Sequence, residues 1–446
     1  MTKVLIPSGA LGLGYDKAAL ERGIAAKPDL IAIDGGSTDS GPSYLGRGVS
    51  KYARESTKAE WQNLIEARIV ANCPLVIGTA GTCGTDSTVD WLYEITLEIL
   101  SDLGSSAKIA RLYCEQDPNQ IAQTKLMALS AAPKVNRETI ESCTHIVALA
   151  GAEQINAALN TGADIIIAGR TTDTAIIAAL PLANGDHAGG AWHGAKIGEC
   201  GALCTTAPQS GTIMVEFDGA GFSITPMGDG AIATPHTVSA HMRYENSDPF
   251  ILYEPGGHLD VTATRYTDVD GRTVRAEGSV WVPSDTYTVK LEGARIAGYQ
   301  TIAIAILRDA HYVENVQDWC DDVIKHHAAK AADRMGLDPS TWHAELRIIG
   351  QNSVLGDLEN VPASATEVGV LAIITAPDQQ TASTLAKLMN PYLLHHQLTR
   401  GEEMPTFAFP FSPAEIDRGA AYEFVLHHVM ELADPMAAFC LEVTDV

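Results

Sequence analysis

The chain is predicted to be an α/β protein with an N-terminal parallel, doubly wound sheet, a β-rich middle region and a small C-terminal α+β domain. Three observations carry that prediction. Over the first 180 residues short apolar runs alternate with helical patterns, as parallel strands joined by crossover helices require. From about residue 190 the texture turns β-rich, with "TIMVEF", "FSITP", "LDVTATRYTDVDGRTVRAEGSVWV" and "YTVKLEGA" separated by turns such as Asp270-Gly271. Residues 367–446 then hold a β run, a helix, a loop and two further apolar β-like runs, enough for a small α+β unit. The expected division is therefore 1–350, itself split near 190/191, and 367–446, with 350–367 as a connector.

The candidate parallel strands are Val4 to Ile6, Leu30 to Ile33, Leu75 to Ile77, Ile109 to Tyr113, Ile146 to Leu149 and Ile165 to Ala168. Each runs into a Gly-rich or polar loop: "PSGALGLGYD", "DGGSTDSGP", "GTAGTCGTDSTVD", "CEQD", "AGAEQ" and "AGRTTDTA". Ligands bind beyond the carboxyl ends of strands in an open parallel sheet, so these loops are expected to converge on one edge. The second loop is the most loaded, carrying Asp34, Ser37, Thr38 and Asp39 presented by Gly35, Gly36 and Gly41. A turn alone needs no such chemistry.

Bulk composition narrows the function classes. A 446-residue chain that is 46% hydrophobic can bury a substantial core. With 30 Lys and Arg against 55 Asp and Glu, the net charge of -25 repels phosphate backbones and anionic membranes, which argues against nucleic acid as a partner. Eight scattered cysteines without a CxxC read as reduced thiols, and no apolar run approaches a membrane span or a signal-peptide core, so a cytoplasmic location is expected.

Gly9, Gly12 and Gly14 follow the first strand, and Asp34 ends the second, superficially like a dinucleotide fold. The spacing is GxxGxG rather than GxGxxG, and there is neither a YxxxK nor a GxxxxGK[ST], so NAD and P-loop chemistry are not expected. In "GTAGTCGTDSTVDW" the small residues let backbone N–H groups and a helix N-terminus approach an anion, with Thr79, Thr82, Cys83, Thr85, Asp86 and Ser87 beside them. The plainer reading is a helix cap. "AGRTTDTA" places Arg170, Thr171, Thr172 and Asp173 after an apolar strand; Arg170 either grips a substrate carboxylate or pairs internally with Asp34, Asp39 or Asp86. "WHGAKIGECGALC" holds His193, Lys196, Glu199, Cys200 and Cys204, a weak zinc pattern and two proton-transfer candidates, Glu199 and His193. Glu254 and His258 of "YEPGGHLD" offer the same chemistry. The doublets His326-His327, His395-His396 and His427-His428 fit no ligand pattern and read as surface or core histidines.

The segments "GSTDSGPSYLG", "ADIIIAGRTTDTA", "ECGAL", "SAHMRYENSDPFILYEPGGHLD", "DGRTVRAEGS" and "VKLEGARIAGYQTIAIAILRD", in that order, resemble the acyclic terpene utilisation (AtuA-like) family. The resemblance covers most of residues 1–310 and extends to the tail, which is similar to the ferredoxin-like module of that family. It implies a setting of acyl-CoA and branched or unsaturated carboxylic acid breakdown. It also implies a His three residues before the Glu of ECGA, where this chain has Lys196.

The functional expectation is an enzyme that moves a proton next to the carbonyl of a small carboxylate or its CoA thioester, a hydro-lyase or an isomerase. Asp39 and Asp86 are the leading bases, with Asp34, Asp173 and Glu199 as further acid/base groups. Gly12, Gly36, Ser37, Thr38, Thr79, Thr82, Cys83, Thr85, Arg170, Thr171 and Thr172 are the candidate substrate-binding residues. Two alternatives stand beside this: a lyase or hydrolase in which the strand-end acids hold a divalent metal such as Mg²⁺, and a non-catalytic subunit of a catabolic complex. A homo-oligomer is expected.

Overall fold

A computed structural model describes residues 1–129, 132, 134–361 and 365–446. Two compact units result: Met1–Arg295 together with Phe424–Val446, and Ile296–Glu423.

The first unit is built on a ten-stranded sheet. Its parallel part runs, in spatial order, Thr2–Ile6, Leu30–Asp34, Leu75–Gly78, Ile165–Ala168 and Lys108–Tyr113. Alternate residues of these strands face opposite cores, as the period of two demands. Val4, Leu30, Ala32, Val76 and Ile166 pack in one layer with Ile155, Ile176 and Trp192 from the helices Ala152–Leu159, Ala175–Ala183 and Ala188–Gly198. Leu5, Ile31, Ile33, Ile77 and Ile167 pack in the other with Trp61, Leu64, Val89 and Leu92 from Arg54–Ala71 and Asp86–Leu103. Helices therefore cover both faces, which is why these strands read as continuous apolar runs.

Five of the six expected parallel strands belong to this sheet. The sixth, His145–Ala148, instead pairs antiparallel with Leu291–Ala294. Four residues are too few to carry a direction, and the Gly-rich loop after them mimics the true sheet edge.

The β-rich stretch does not open a separate layer. Ile213–Phe217 pairs antiparallel with Thr2–Ile6, and Gly221–Pro226, Val274–Glu277 and Arg265–Asp268 extend the same sheet in that spatial order, all antiparallel. Only Ile251–Glu254, Gly257–Asp260 and Val280–Pro283 form a sheet of their own. At the opposite edge the terminal strand Cys440–Asp445 pairs with Lys108–Tyr113.

The longer elements of the second unit run strand, helix, strand, strand, helix, strand, the ferredoxin-like order, with the short helix Ala310–Glu314 and the two-residue strand Phe407–Ala408 added to it. Helices Val316–Met335 and Gln379–His395 pack through Trp319, Val323, Leu385 and Met389 onto Val370, Ala372 and Ile374 of the strand Val368–Ala376. The expected boundary at 350–367 thus differs from the observed division at 295/296. That stretch joins the second and third strands inside this unit, and the last 23 residues belong to the first. Among the described residues no helix is long and apolar enough to cross a membrane.

Candidate functional site

The loop after Leu30–Asp34 is held close to its neighbours by glycine. A Cβ on Gly35 would stand 2.2 Å from the Thr79 carbonyl oxygen, and Gly36 has φ +106°. The backbone N–H of Gly35 donates to the Gly78 carbonyl at 2.8 Å, and that of Leu11 donates to the Asp34 carbonyl at 2.8 Å. Ser37 then accepts from the Asp39 N–H at 3.3 Å and caps the short turn Thr38–Ser40. Thr38 faces inward, donating to Glu292 Oε2 at 3.1 Å.

The loop after Leu75–Gly78 is almost wholly buried, with Thr79 at φ 49° and Thr82 at φ 82°. Its hydroxyls and thiol largely satisfy one another: Cys83 Sγ lies 3.5 Å from Thr85 Oγ1, which lies 3.3 Å from Thr88 Oγ1. Thr82 alone of the group reaches the cavity described below, while donating to the Gly35 carbonyl at 3.2 Å. Thr85 occupies the N-cap position without a side-chain cap bond. Asp86 lies apart, clasped to Glu115: its N–H donates to Glu115 Oε2 at 3.1 Å, and the Glu115 N–H donates to Asp86 Oδ1 at 3.2 Å.

Arg170 is spent inside the protein. Its guanidinium forks onto Glu292, Nε to Oε2 at 3.1 Å and Nη2 to Oε1 at 3.3 Å, while Nη1 donates to Thr79 Oγ1 at 3.2 Å and to the Thr171 carbonyl at 3.1 Å. Lys290 adds a second cation 3.1 Å from Glu292. Against desolvation, Arg170 and Lys290 hold the Glu292 carboxyl down to about 2. Of the two readings offered for Arg170, the geometry is that of the internal ion pair, with Glu292 as partner rather than Asp34, Asp39 or Asp86. Thr171 is buried beside Thr79, and Thr172 Oγ1 lies 3.1 Å from Thr174 Oγ1, so neither reaches the cavity wall.

That wall encloses about 440 Å³ in the first unit, and Asp34, Asp39, Asp173, Gly36, Ser37 and Thr82 are the expected residues that line it. Ser8, Lys51, Tyr52, Cys200, Tyr244 and Glu245 are among its other polar lining residues. Gly12 stands just behind, at φ +106°: a Cβ there would meet the Tyr52 ring at 2.9 Å, so this glycine lets Tyr52 lie against the loop. The cavity is a concentration of acids with Lys51 at its rim. Asp34 is buried, its Oδ2 accepting the Gly36 N–H at 3.0 Å while Oδ1 has no hydrogen-bond partner. Burial, and then the neighbouring Asp173, push the Asp34 carboxyl well above its ordinary range. Burial also raises Asp173, with Arg170 opposing. Glu245 is raised by burial and by its hydrogen bond with Asp39. Each shift favours the protonated form that a general acid needs.

A further buried group lies beside this wall. Lys196 pairs with Glu199, whose carboxyl burial pushes up to about 8. Glu254 accepts from Thr174 at 2.5 Å, leaves Oε2 without a partner, and is pushed by burial to about 7. Ligand atoms of Glu199, Cys200 and His241 fall within 4.8 Å of one another, as do those of Asp322, His326 and His396 in the second unit. Among the described residues no such group gathers Asp34, Asp39, Asp86 and Asp173, so the four strand-end acids do not present a Mg²⁺ cage. His193 is a satisfied core histidine, with Nδ1 2.7 Å from Ser279 Oγ and Nε2 3.1 Å from the Tyr266 hydroxyl. Cys204 is buried and donates to the Gly201 carbonyl at 3.4 Å.

Sequence reasoning missed Lys51, Tyr52, Tyr244 and Glu245 as cavity residues, and Glu292 as the partner of Arg170. Tyr244 and Glu245 lie inside "SAHMRYENSDPFILYEPGGHLD", and that segment was the available signal.

No curated protein and no solved structure matches the chain. A family model described as "Acyclic terpene utilisation family protein AtuA" matches residues 52–410, a range that begins beyond the Asp34 loop and includes Arg170, Glu199, Tyr244 and Glu292. With most of its 446 residues matched, the chain belongs to the acyclic terpene utilisation family, a family of terpene catabolism.

Proposed function

We propose that the protein is an enzyme of proton transfer next to a carbonyl, acting on a small branched or unsaturated carboxylic acid or its CoA thioester as a hydro-lyase or isomerase. The observation that carries this reading is Asp34, a buried carboxyl at a strand end that faces a cavity with one oxygen left unpartnered. A neutral acid beside an ionised one is the pairing that such reactions need. In a dehydration, the ionised member of the Asp34 and Asp173 pair takes the proton on the carbon next to the carbonyl. The neutral member protonates the leaving hydroxyl, water departs and a double bond forms. Because Arg170 is committed to Glu292, it does not grip the substrate in this scheme, and an anionic group of the substrate rests at the Lys51 rim.

The test is deuterium exchange, in D₂O, at the carbon next to the carbonyl of branched carboxylates and their CoA thioesters. Candidates are first selected by thermal stabilisation, where a ligand at a hundred times its Kd adds about 2.7 kcal/mol. Asp34→Asn should slow exchange by about 10²–10⁴. Exchange that persists at the parent rate in both Asp34→Asn and Asp173→Asn would refute the assignment.

A further inference from the structure

Glu199, Cys200 and His241 stand where no part of the proton-transfer reading requires them. Glu199 caps the end of the helix Ala188–Gly198, Cys200 opens the turn Gly201–Cys204, and His241 closes the helix Pro235–His241. Two segments distant in sequence, the adjacent pair Glu199 and Cys200 and the helix end at His241, thus bring a carboxylate oxygen, a thiol sulfur and an imidazole nitrogen within 4.8 Å of one another.

A second observation is independent of that clustering. His241 is only 6% exposed, and its Nε2 is buried with no hydrogen-bond partner. Its ring is held in place by stacking on Tyr244, with centroids 5.3 Å apart and planes 13° apart. A buried imidazole nitrogen left unpaired costs on the order of 1–3 kcal/mol. A ligand that accepts its lone pair removes that cost.

We propose that Glu199, Cys200 and His241 form a binding site for a thiophilic divalent cation of the zinc class, on the wall of the cavity. The donor set decides the class: one sulfur, one imidazole nitrogen and one carboxylate oxygen suit Zn²⁺ or Co²⁺, whereas Mg²⁺ takes oxygen ligands. Tetrahedral zinc with bonds of ~2.0–2.3 Å puts its ligand atoms roughly 3.3–3.8 Å apart, so side-chain rotation of about 1 Å closes the site. Three protein ligands leave one coordination position open, the pattern of catalytic rather than structural zinc. Cys200 lines the same cavity as Asp34 and Asp173, so the open position is supplied from there by water or a substrate oxygen.

Lys196 has a defined place in this arrangement. Its ammonium pairs with Oε1 of Glu199, which fixes the carboxylate and leaves Oε2 for the cation. Outer-shell partners of this sort orient metal ligands. The thiolate, the carboxylate and nearby Asp173 offset the charge of Lys196 and a divalent ion together. Cys204 contributes nothing, since its thiol is turned to the Gly201 carbonyl.

The experiment uses the full chain, stripped with a chelator and titrated with Co²⁺, then with Zn²⁺ in competition. The expected result is one saturable site whose spectrum carries a thiolate-to-cobalt charge-transfer band, retained in Cys204→Ser and lost in Cys200→Ser. His241→Gln should weaken affinity by about a hundredfold. The Asp322, His326 and His396 group contains no thiol, so binding there gives no such band. Should Cys200→Ser fail to fold, the unsubstituted protein still decides: Zn²⁺ should slow iodoacetamide alkylation of Cys200 by about tenfold or more, read by peptide mapping, and leave exposed Cys440 unaffected. Absence of a charge-transfer band, or Cys200 alkylation at one rate with and without Zn²⁺, overturns the proposal. Neither readout depends on turnover, so failure here leaves the Asp34 reading standing.

Discussion

Two buried charge clusters in the first unit share a neighbourhood and obey opposite rules. Around Arg170 every charge is answered: Glu292 receives the guanidinium fork, Lys290 and the Thr38 hydroxyl, and Arg170 Nη1 donates to Thr79 and Thr171 and stands 3.6 Å from Asp173. Around Asp34 acids outnumber cations: Asp173, Asp39 and Glu245 line the same cavity, Arg170 reaches only Asp173, at 3.6 Å, and an Asp34 oxygen is unpartnered. A satisfied cluster needs nothing further from a ligand. An unsatisfied one, kept at a cavity, is the arrangement that the proposed proton transfer would use. The contrast teaches that an Arg at a strand end is not evidence of an anion site until its partners are counted.

The largest expected effect breaks the paired cluster. Arg170→Ala leaves Glu292 buried without its fork and should destabilise the protein by about 3–5 kcal/mol, measured by urea unfolding. Replacing both members, Arg170→Met with Glu292→Leu, should recover most of that loss, because the uncompensated charge is gone. If Arg170→Ala instead unfolds like the parent, the distinction between the two clusters collapses.

Next in size is a pH dependence whose sign differs between the clusters. Glu292 is held down to about 2 in the folded protein. Its contribution is present above the ordinary carboxylate value and is lost as pH falls from about 4.5 towards about 2. Glu254, near the unpaired group, is pushed by burial to about 7, so the folded state keeps a proton that the unfolded chain has lost. Its contribution is present below about 4.5 and is lost as pH rises towards about 7. Unfolding curves collected between pH 5 and 8 should therefore show stability falling with pH. Glu254→Gln should remove roughly 3 kcal/mol of that fall. A slope unchanged in the variant would show that Glu254 is ionised in the folded protein.

Asp34→Asn is expected to move stability by no more than about 1 kcal/mol in either direction, since the amide oxygen still accepts the Gly36 N–H and one unpaired atom replaces another. Paired with the loss of exchange expected above, that small change marks Asp34 as a residue kept for chemistry. A drop in stability as large as that of Arg170→Ala would instead place Asp34 in the structural cluster.

How much of this was legible in the sequence follows from range. Local pattern identified the parallel strands through their apolar runs, and the Gly-rich loops after Ile33 and Ile77 through their punctuation. It therefore found Asp34, Asp39, Ser37 and Thr82. What depended on partners far along the chain was not legible. Glu292 meets Arg170 across 122 residues, and nothing beside Arg170 announces it. Asp86 has the same loop character as Asp39, yet Glu115, 29 residues on, draws it aside. The ferredoxin-like unit was halved because the strand Tyr287–Leu307 runs from one unit into the other, and a period-two pattern carries no mark where a unit changes. Tyr244 and Glu245 reach the cavity from the β-rich region, whose sheet membership cannot be read from alternation alone.

The smallest effect tests whether the acid loop is shaped for the cavity or merely tolerated there. Ser37 caps the turn Thr38–Ser40 by accepting from the Asp39 N–H, and so sets the direction in which Asp39 leaves the chain. Ser37→Ala should cost about 0.5–1 kcal/mol, the usual price of a lost cap at an exposed position. Its effect on exchange should be larger than that on folding, because the hydrogen bond from Asp39 helps to raise Glu245, and a shifted Asp39 loosens that hold. In the pH profile of exchange, measured on the substrate that Asp34→Asn loses, the limb belonging to Glu245 should move while the parent's thermal midpoint is nearly kept. A profile that superimposes on the parent would confine the working acids to Asp34 and Asp173, and would make the Asp39 and Glu245 pair part of the wall alone.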